Sequence, residues 1–140
     1  MTRIVYDQNL MKFMSLFESM TQTKLRDAIQ HEDMLLFVVE PGEIGKAIGS
    51  RGVNIHRLED KLRKRVKIVE WAESAEAFVQ NLIYPAKASY VEIQDKRIMI
   101  TPLDLQSRGH IIGRGASNLR FYEEVVRRYF PCDEIKVGGG

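Results

Sequence analysis

Residues that could bind a phosphate group are concentrated between Gly42 and Gly52. Four glycines stand in this stretch, at positions 42, 45, 49 and 52, beside Lys46 and Arg51. Glycine permits a positive φ and lets a second backbone approach closely, because it has no side chain. A basic side chain in the same turn adds a charge-assisted hydrogen bond to an anion. This composition indicates a loop that binds a phosphate-bearing ligand.

Two nucleotide-binding motifs do not fit this stretch. The phosphate loop of nucleotide hydrolases requires a glycine, four further residues and then Gly-Lys-Ser or Gly-Lys-Thr. Here Gly45-Lys46 is followed by Ala47, and the position five residues before Gly45 is Glu40. The Gly-x-Gly-x-x-Gly fingerprint of dinucleotide-binding folds also fails on spacing. We therefore expect no nucleotide hydrolysis.

The spacing instead favours a tight Gly49-x-x-Gly52 turn between two short helices, with Ile48 just before it. Backbone N–H groups and the N-terminus of the following helix meet at such a turn, and both attract phosphate. The two missing side chains let a sugar-phosphate backbone lie against the turn, where Arg51 can reach it. The pattern predicts a nucleic-acid clamp.

The clamp pattern occurs a second time, without a gap, 64 residues further along the chain. Residues 48–55 superpose on residues 112–119, and Glu59 then lies over Glu123. Such a repeat indicates two copies of one supersecondary unit. The second copy has Ala116 where the last glycine of the turn should stand. We expect Ala116 to begin a helix without a positive φ, Gly115 to add flexibility, and the second loop to bind ligand; a purely structural second unit is the alternative.

The basic residues are clustered around both loops, although the whole chain has 21 Lys and Arg against 19 Asp and Glu. Residues 46–67 contain eight basic side chains against Glu59 and Asp60. Around the second loop, five arginines stand against Glu123 and Glu124: Arg108, Arg114, Arg120, Arg127 and Arg128. A solvated helix face is one explanation of such a cluster, but beside a phosphate-compatible loop it favours nucleic-acid binding.

Apolar periodicity places the loops within a repeated order of elements. In the first half it predicts a helix over about residues 8–22 with Asp7 as N-cap, a strand over 34–39, helices over 43–48 and 53–62, and a strand over 66–70. In the second half it predicts a helix from Ser74 that Pro85 ends, strands over 90–93 and 97–100, helices over 104–112 and 116–129, and a strand over 135–137. Residues 23–33 are polar and receive no element, and residues 138–140 are expected to be disordered. A break near residues 71–74 predicts two domains, 1–72 and 73–140.

Ile48-Gly49-Ser50-Arg51-Gly52, its flanking helices and its repetition resemble the signature loop of KH domains, and the adjacent pair resembles the archaeal NusA-like family. The resemblance implies an α/β (α+β) fold of two tandem prokaryotic-type (type II) KH domains, each a three-stranded sheet covered by helices on one face. It implies binding of single-stranded RNA, the nascent transcript, in transcription elongation, termination or antitermination. RNA polymerase or other transcription factors are the further partners that it implies. Base edges would be read by backbone groups of residues 66–69 and 135–137.

The candidate RNA-binding residues are those of the two loops and their basic or amide neighbours. In the first unit they are Lys46, Ile48, Gly49, Ser50, Arg51, Gly52, Asn54 and Arg57. In the second unit they are Ile112, Gly113, Arg114, Gly115, Ala116, Asn118 and Arg120. The matched asparagines either brace the loop through a backbone hydrogen bond, which we favour, or face the ligand. Apolar residues near the loops could form a groove wall for bases: Ile44, Ile48, Val53, Ile55, Ile111, Ile112 and Leu119.

Other classes of protein find little support in the sequence. No nucleophile or paired carboxylate has a recognisable partner set, the three histidines lack metal spacing, and Cys132 is the single cysteine, so we expect no catalysis, metal or cofactor. No apolar run is long enough to cross a membrane, which predicts a cytoplasmic protein. An RNA-processing or ribosome-associated adaptor that docks a partner through Met11 and Met14 remains open. A ubiquitin-type modifier rests only on the terminal Gly139-Gly140.

Overall fold

The computed structural model describes residues 7–138, which form two compact units that divide between Trp71 and Ala72. Each unit contains, in chain order, a helix, two strands, two helices joined by a single 3-10 turn, and a last strand. The repeat predicted at an offset of 64 residues is therefore a repeat of architecture as well as of sequence.

The elements of the first unit extend over α1 Gln8–Thr21, β1 Leu25–His31, β2 Met34–Val39, α2 Ile44–Ile48, α3 Val53–Leu62 and β3 Arg65–Glu70. Those of the second unit extend over α4 Ala75–Ile83, β4 Ala88–Gln94, β5 Arg97–Pro102, α5 Leu105–Ile112, α6 Ser117–Arg127 and β6 Glu134–Val137.

Each unit has one three-stranded sheet with its middle strand paired on both sides. The order is β1-β2-β3 in the first sheet and β4-β5-β6 in the second. The first two strands of each sheet are antiparallel and the last pair is parallel. A parallel neighbour requires a crossover connection, and in both units this connection is the helix pair that carries the glycine loop. The predicted fold class, two three-stranded sheets each packed against helices, is confirmed.

Short polar side chains start the helices that position the sheets. The Asp7 carboxylate accepts a hydrogen bond from the Leu10 N–H at 2.7 Å, as predicted for an N-cap of α1. Ser74 and Asp104 cap α4 and α5 in the same way. Each cap satisfies a backbone donor that the first helical turn leaves without an intrahelical partner.

The core of the first unit lies between α1, α3 and one face of its sheet. Phe17 of α1 stacks on Phe37 of β2 with ring centroids 4.3 Å apart, and Leu58 of α3 is fully buried against them. Met14 and Met20 also pack on this cluster, while Met11 is 55% exposed. The methionine-rich stripe of α1 is therefore mainly a core-facing surface.

The core of the second unit also contains residues of the middle strand and of the helices around the glycine turn. Ile98 and Ile100 of β5 are buried, as are Ile111 of α5 and Val126 of α6. Phe78 of α4 meets Tyr129 edge-on, with centroids 5.4 Å apart. Between residues 7 and 138 no helix is both long and apolar enough to cross a lipid bilayer.

Two parts of the sequence-based prediction are wrong. Residues 25–31 form the edge strand β1, although the polar composition predicted no element there. Its sequence does not alternate because Asp27 is buried beside Ala28, with its carboxylate accepting the Ala28 N–H at 2.8 Å. Gly138, expected to be disordered, donates its N–H to the Ile100 carbonyl at 2.8 Å. The same expectation for residues 139 and 140 lies outside the described residues.

Candidate nucleic-acid interface

The first glycine of each loop adopts a conformation that only glycine takes easily. Gly49 has φ 78° and ψ 171°, and Gly113 has φ 73° and ψ 175°. A side chain would also have no room, since an added Cβ would lie 2.9 Å from Val53 Cγ1 in the first loop and 2.8 Å from Asn118 Cγ in the second. These two glycines are therefore fixed by both backbone strain and packing.

The matched asparagines brace the loops. Asn54 Nδ2 donates to the Lys46 carbonyl at 3.1 Å, and Asn118 Nδ2 donates to the His110 carbonyl at 2.7 Å. Each bond joins the start of the second helix to the last turn of the first, across the glycine turn. The favoured interpretation of these residues is thus confirmed, and their amide nitrogens are already engaged within the loop.

The expectation for Ala116 is wrong, because this residue has a positive φ of 62°. It takes the left-handed conformation of its counterpart Gly52, whose φ is 72°. Gly115, with φ 61°, likewise follows the conformation of Arg51, with φ 55°. Each loop therefore holds one residue with a side chain in the left-handed region, and the two loops differ only in where it stands. The physical reason is that the turn between the helices needs two consecutive left-handed residues.

We predict that glycine–alanine substitutions at the last residue of the two turns, position 116 in the second unit and 52 in the first, have opposite effects on stability. Ala116→Gly should raise the free energy of unfolding by about 0.5–1 kcal/mol, because relief of left-handed strain outweighs the added entropy of the unfolded chain. Gly52→Ala should lower it by a similar amount, since an added Cβ there meets nothing closer than 3.8 Å and only the strain remains. Urea unfolding measures both. Equal signs for the two substitutions would contradict this account.

The basic side chains of the predicted site are exposed and unpaired. Lys46, Arg51 and Arg57 surround the first loop, and Arg114 and Arg120 surround the second. None of the five has an ion-pair partner among residues 7–138. Ser50 is also exposed, whereas Ile48 and Ile112, which directly precede the loops, are half-buried. Each unit thus combines a glycine turn with a partly exposed isoleucine and with cations that have no ion pair within residues 7–138.

Other cations of the two clusters serve the fold instead. Arg65 pairs with Asp33 at 3.6 Å. Arg127 donates to the carbonyls of Cys132 and Asp133. Arg108 donates to the Gly138 carbonyl at 3.1 Å. Fewer basic side chains are therefore available to contact a ligand than the local sequence suggested. Those that are available lie at the loops and along α3.

The predicted base-binding groove is only partly open. Ile111 is fully buried and therefore cannot form the wall of the groove. Its counterpart in the first unit, Ala47, is also fully buried. Ile44, Ile48 and Ile55 pack against the core with part of their surface exposed. Ile111 and Ile112 are adjacent on a helix that covers the sheet, so their side chains point in different directions. Helix periodicity places Ile111 toward the sheet and leaves Ile112 half-buried.

Sequence reasoning missed the role of the matched glutamates in this groove. Glu59 accepts the Val66 N–H at 3.0 Å, and Glu123 accepts the Ile135 N–H at 2.9 Å. Each carboxylate occupies one backbone donor of the edge strand that was predicted to read bases. The alignment of the two halves contained the signal, since it placed Glu59 over Glu123. The same register pairs Lys46 with His110, which the site prediction omitted.

Lys67, a basic residue of the first cluster, has a strongly lowered pKa. It lies on β3, half-buried and in register with the fully buried Leu36. Desolvation by burial lowers the pKa of Lys67 from its ordinary value of 10.5 to about 8, because a charged amine is disfavoured away from water. Lys67 therefore costs the folded state stability at neutral pH.

We predict that Lys67→Met raises the free energy of unfolding at pH 7 by about 1–3 kcal/mol. Between pH 8 and 10.5 the unfolded chain holds more protons at Lys67 than the folded chain does, so this residue makes wild-type stability rise with pH. Below about pH 8 the cost is present in full. Urea unfolding over this range should show the variant without that rise. An identical pH slope in both proteins would contradict the prediction.

Comparison with known proteins finds relatives that match most of the chain, although no family model matches it. The chain is 30% identical to the "Probable transcription termination protein NusA" of Halococcus morrhuae over 137 residues, which cover 96% of this chain and 99% of the relative. A protein of the same name from Thermoplasma acidophilum is 24% identical over 140 residues, covering 98% and 97%. The crystal structure of APE1850 superposes with a TM-score of 0.75 at 27% identity, over 91% of this chain and 96% of that one.

Proposed function

Because the chain belongs to the family of archaeal NusA-like transcription termination proteins, we propose that it binds single-stranded RNA at its two glycine loops. The observation that carries this proposal is the common geometry of the loops. Both contain a glycine with no room for a side chain, two left-handed residues and a bracing asparagine, together with exposed cations that have no ion pair within residues 7–138. Phosphates of a flexible strand are the ligand that such a turn accommodates.

In the proposed mechanism the first loop binds without catalysing a reaction. The sugar-phosphate backbone of the RNA lies across Gly49–Gly52. Here the two glycines have no side chains, and the N-terminus of α3 follows directly. Lys46 and Arg51 hold phosphates by charge-assisted hydrogen bonds. A base rests on the exposed part of Ile48. Asn54 acts as a positioning residue, since its amide is already bonded to the Lys46 carbonyl.

The second loop is proposed to bind the same RNA more weakly. Its backbone repeats the conformation of the first loop, with Arg114 and Arg120 as the exposed cations. The Ala116 side chain adds a methyl group to the surface on which the RNA backbone lies. Two weak sites on one chain raise apparent affinity, because binding at one increases the effective concentration of RNA at the other.

The biological role that follows is to hold nascent RNA during transcription elongation, termination or antitermination. The relatives carry the name of transcription termination proteins. RNA polymerase or another transcription factor is the proposed protein partner. Crosslinking in cells followed by RNA sequencing should recover nascent transcripts; recovery of ribosomal RNA precursors instead would favour the RNA-processing adaptor.

A salt titration tests the proposed RNA binding directly. Fluorescence anisotropy with a labelled single-stranded RNA should show affinity falling steeply between about 50 and 200 mM salt, because each phosphate contact releases condensed cations. A log–log slope of about −3 corresponds to roughly four contacts at about −0.7 each. Absence of binding, or affinity that does not change with salt, would overturn the proposal.

A further inference from the structure

A row of basic side chains continues from the first loop along α3 and into the turn that follows it. Three of these residues, Lys61, Arg63 and Lys64, are here called the basic ridge. Arg57 lies in the sequence between the ridge and the loop. We propose that the basic ridge binds the phosphates of the RNA segment that leaves the first loop, so that the first unit contacts a longer stretch of RNA than its loop alone. This proposal rests on RNA binding at the loop and adds a second contact surface to it.

The cations of the ridge have no electrostatic partner within the described chain. Lys61, Arg63 and Lys64 form no ion pair among residues 7–138, although the next residue, Arg65, pairs with Asp33. Of the two carboxylates of α3, Glu59 is hydrogen-bonded to the Val66 N–H. The other, Asp60, lies beyond ion-pair distance of every cation in that part of the chain.

Helix electrostatics explain only part of the row. Cations in the last turn, such as Lys61, are favoured by the negative end of the helix dipole. Arg57 lies in the middle of α3, four residues before Lys61, and like charges at this spacing destabilise a helix. A polyanion bound along the ridge would remove that repulsion.

The second unit shows that the fold itself does not need these cations. At the offset of 64 residues, Arg57 and Lys61 correspond to Phe121 and Val125, which are 6% and 1% exposed. Arg63 corresponds to Arg127, whose guanidinium is bonded to backbone carbonyls. Lys64 corresponds to Arg128, so that one position keeps its charge. The same architecture thus buries or engages this surface in one unit and leaves it free and cationic in the other.

Continuity with the loop identifies RNA as the occupant. Arg57 follows the last loop residue, Gly52, by five positions, and α3 has ten residues, a length of about 15 Å. An RNA backbone held at Arg51 therefore meets a charged track at the point where it leaves the loop. Its phosphates repeat along an extended chain, which matches successive cations better than the irregular charges of a folded protein do.

RNA length separates the ridge from the loop in an experiment. The triple variant Lys61→Gln, Arg63→Gln, Lys64→Gln should bind a twelve-nucleotide oligouridine about tenfold more weakly than wild type, with a log–log salt slope shallower by about 2. Its affinity for a four-nucleotide oligouridine should stay within about twofold, because a loop clamps about four nucleotides. Circular dichroism and urea unfolding confirm that the variant folds.

A second triple variant with the same change in net charge is the matched control. Lys12→Gln, Lys24→Gln, Lys96→Gln removes three exposed cations outside the ridge and should leave both RNA affinities unchanged within about twofold. Equal losses in the control, or equal losses for both RNA lengths, would overturn the ridge proposal. Unchanged binding of the longer RNA would also overturn it and would leave the ridge to an acidic protein partner. The loop variant Ser50→Asp, Arg51→Asp reports separately on the proposed function: weakened RNA binding in that variant supports binding at the loop even where the ridge variant binds normally.

Discussion

Replacing Ser50 and Arg51 by aspartate should lower the affinity for single-stranded RNA by about ten- to a hundredfold. The double substitution removes a charge-assisted contact and places two carboxylates where phosphates are proposed to lie. Both residues are exposed, and neither side chain has a hydrogen bond or ion pair among residues 7–138. Aspartate also tolerates the left-handed φ of 55° at position 51. Fluorescence anisotropy measures the loss, and circular dichroism verifies the fold.

A matched control exists on α1. Ser15→Asp and Lys12→Asp make the same change in net charge at two exposed positions of that helix, with a lysine replaced instead of an arginine. Because the same number of charges outside the proposed contact surface acts on the RNA only through the weak long-range field, this variant should retain affinity within about threefold. Arg114→Asp with Gly115→Asp in the second loop should cause a smaller loss than the pair in the first loop. RNA binding that survives both loop variants would contradict the proposed site.

Gly113→Ala should destabilise the second unit by about 2–4 kcal/mol. The residue has φ 73° and ψ 175°, a region that residues with a Cβ enter at a cost of about 1–3 kcal/mol. The new Cβ would also lie 2.8 Å from Asn118 Cγ and 2.9 Å from the Asn118 backbone nitrogen. Relief of the second contact requires movement of the start of α6, because a backbone atom cannot rotate away. Urea unfolding measures the loss of stability, and RNA binding at the second loop should fall with it.

Gly109→Ala makes the same chemical change four residues earlier, and we expect it to have the opposite effect on the free energy of unfolding. This glycine lies inside α5, and an added Cβ would meet nothing within 4 Å. Alanine has the higher helix propensity, so the free energy of unfolding should rise by about 0.5–1 kcal/mol. If both substitutions destabilise equally, the conformational argument for Gly113 is wrong and glycine there is not required by its φ.

The sequence predicted the two-unit repeat and most of its elements from local signals, whereas the three-stranded sheets were implied by the resemblance to KH domains. Apolar spacing predicted the helices, and β-branched runs such as residues 34–39 predicted the inner strands. The edge strand β1 was not predicted. Such a strand pairs with a single neighbouring strand and tolerates polar residues such as Asp27 and Gln30, so its composition did not indicate a strand. Its partner β2 supplies the pairing that its own composition does not indicate.

The candidate site was predicted in outline for a similar reason. Glycine density, the repeated asparagine and the basic residues are all visible in the sequence, and the bracing bonds of Asn54 and Asn118 confirm the role favoured for them. The conformation of Ala116 could not be read in this way. Alanine is compatible with a helix start by propensity, and only the geometry of the two flanking helices imposes its positive φ.

The sequence by itself determined the two-unit repeat, the place of both glycine loops and the presence of basic residues around them. These are local properties, set by residue type and spacing. Only the tertiary structure decided which of those cations are available to a ligand. Arg65, Arg108 and Arg127 are engaged by groups that the fold brings close, whereas Arg51 and Lys61 have no ion pair within the described residues 7–138. An ion pair depends on distances between groups that are far apart in the chain, and folding alone sets those distances.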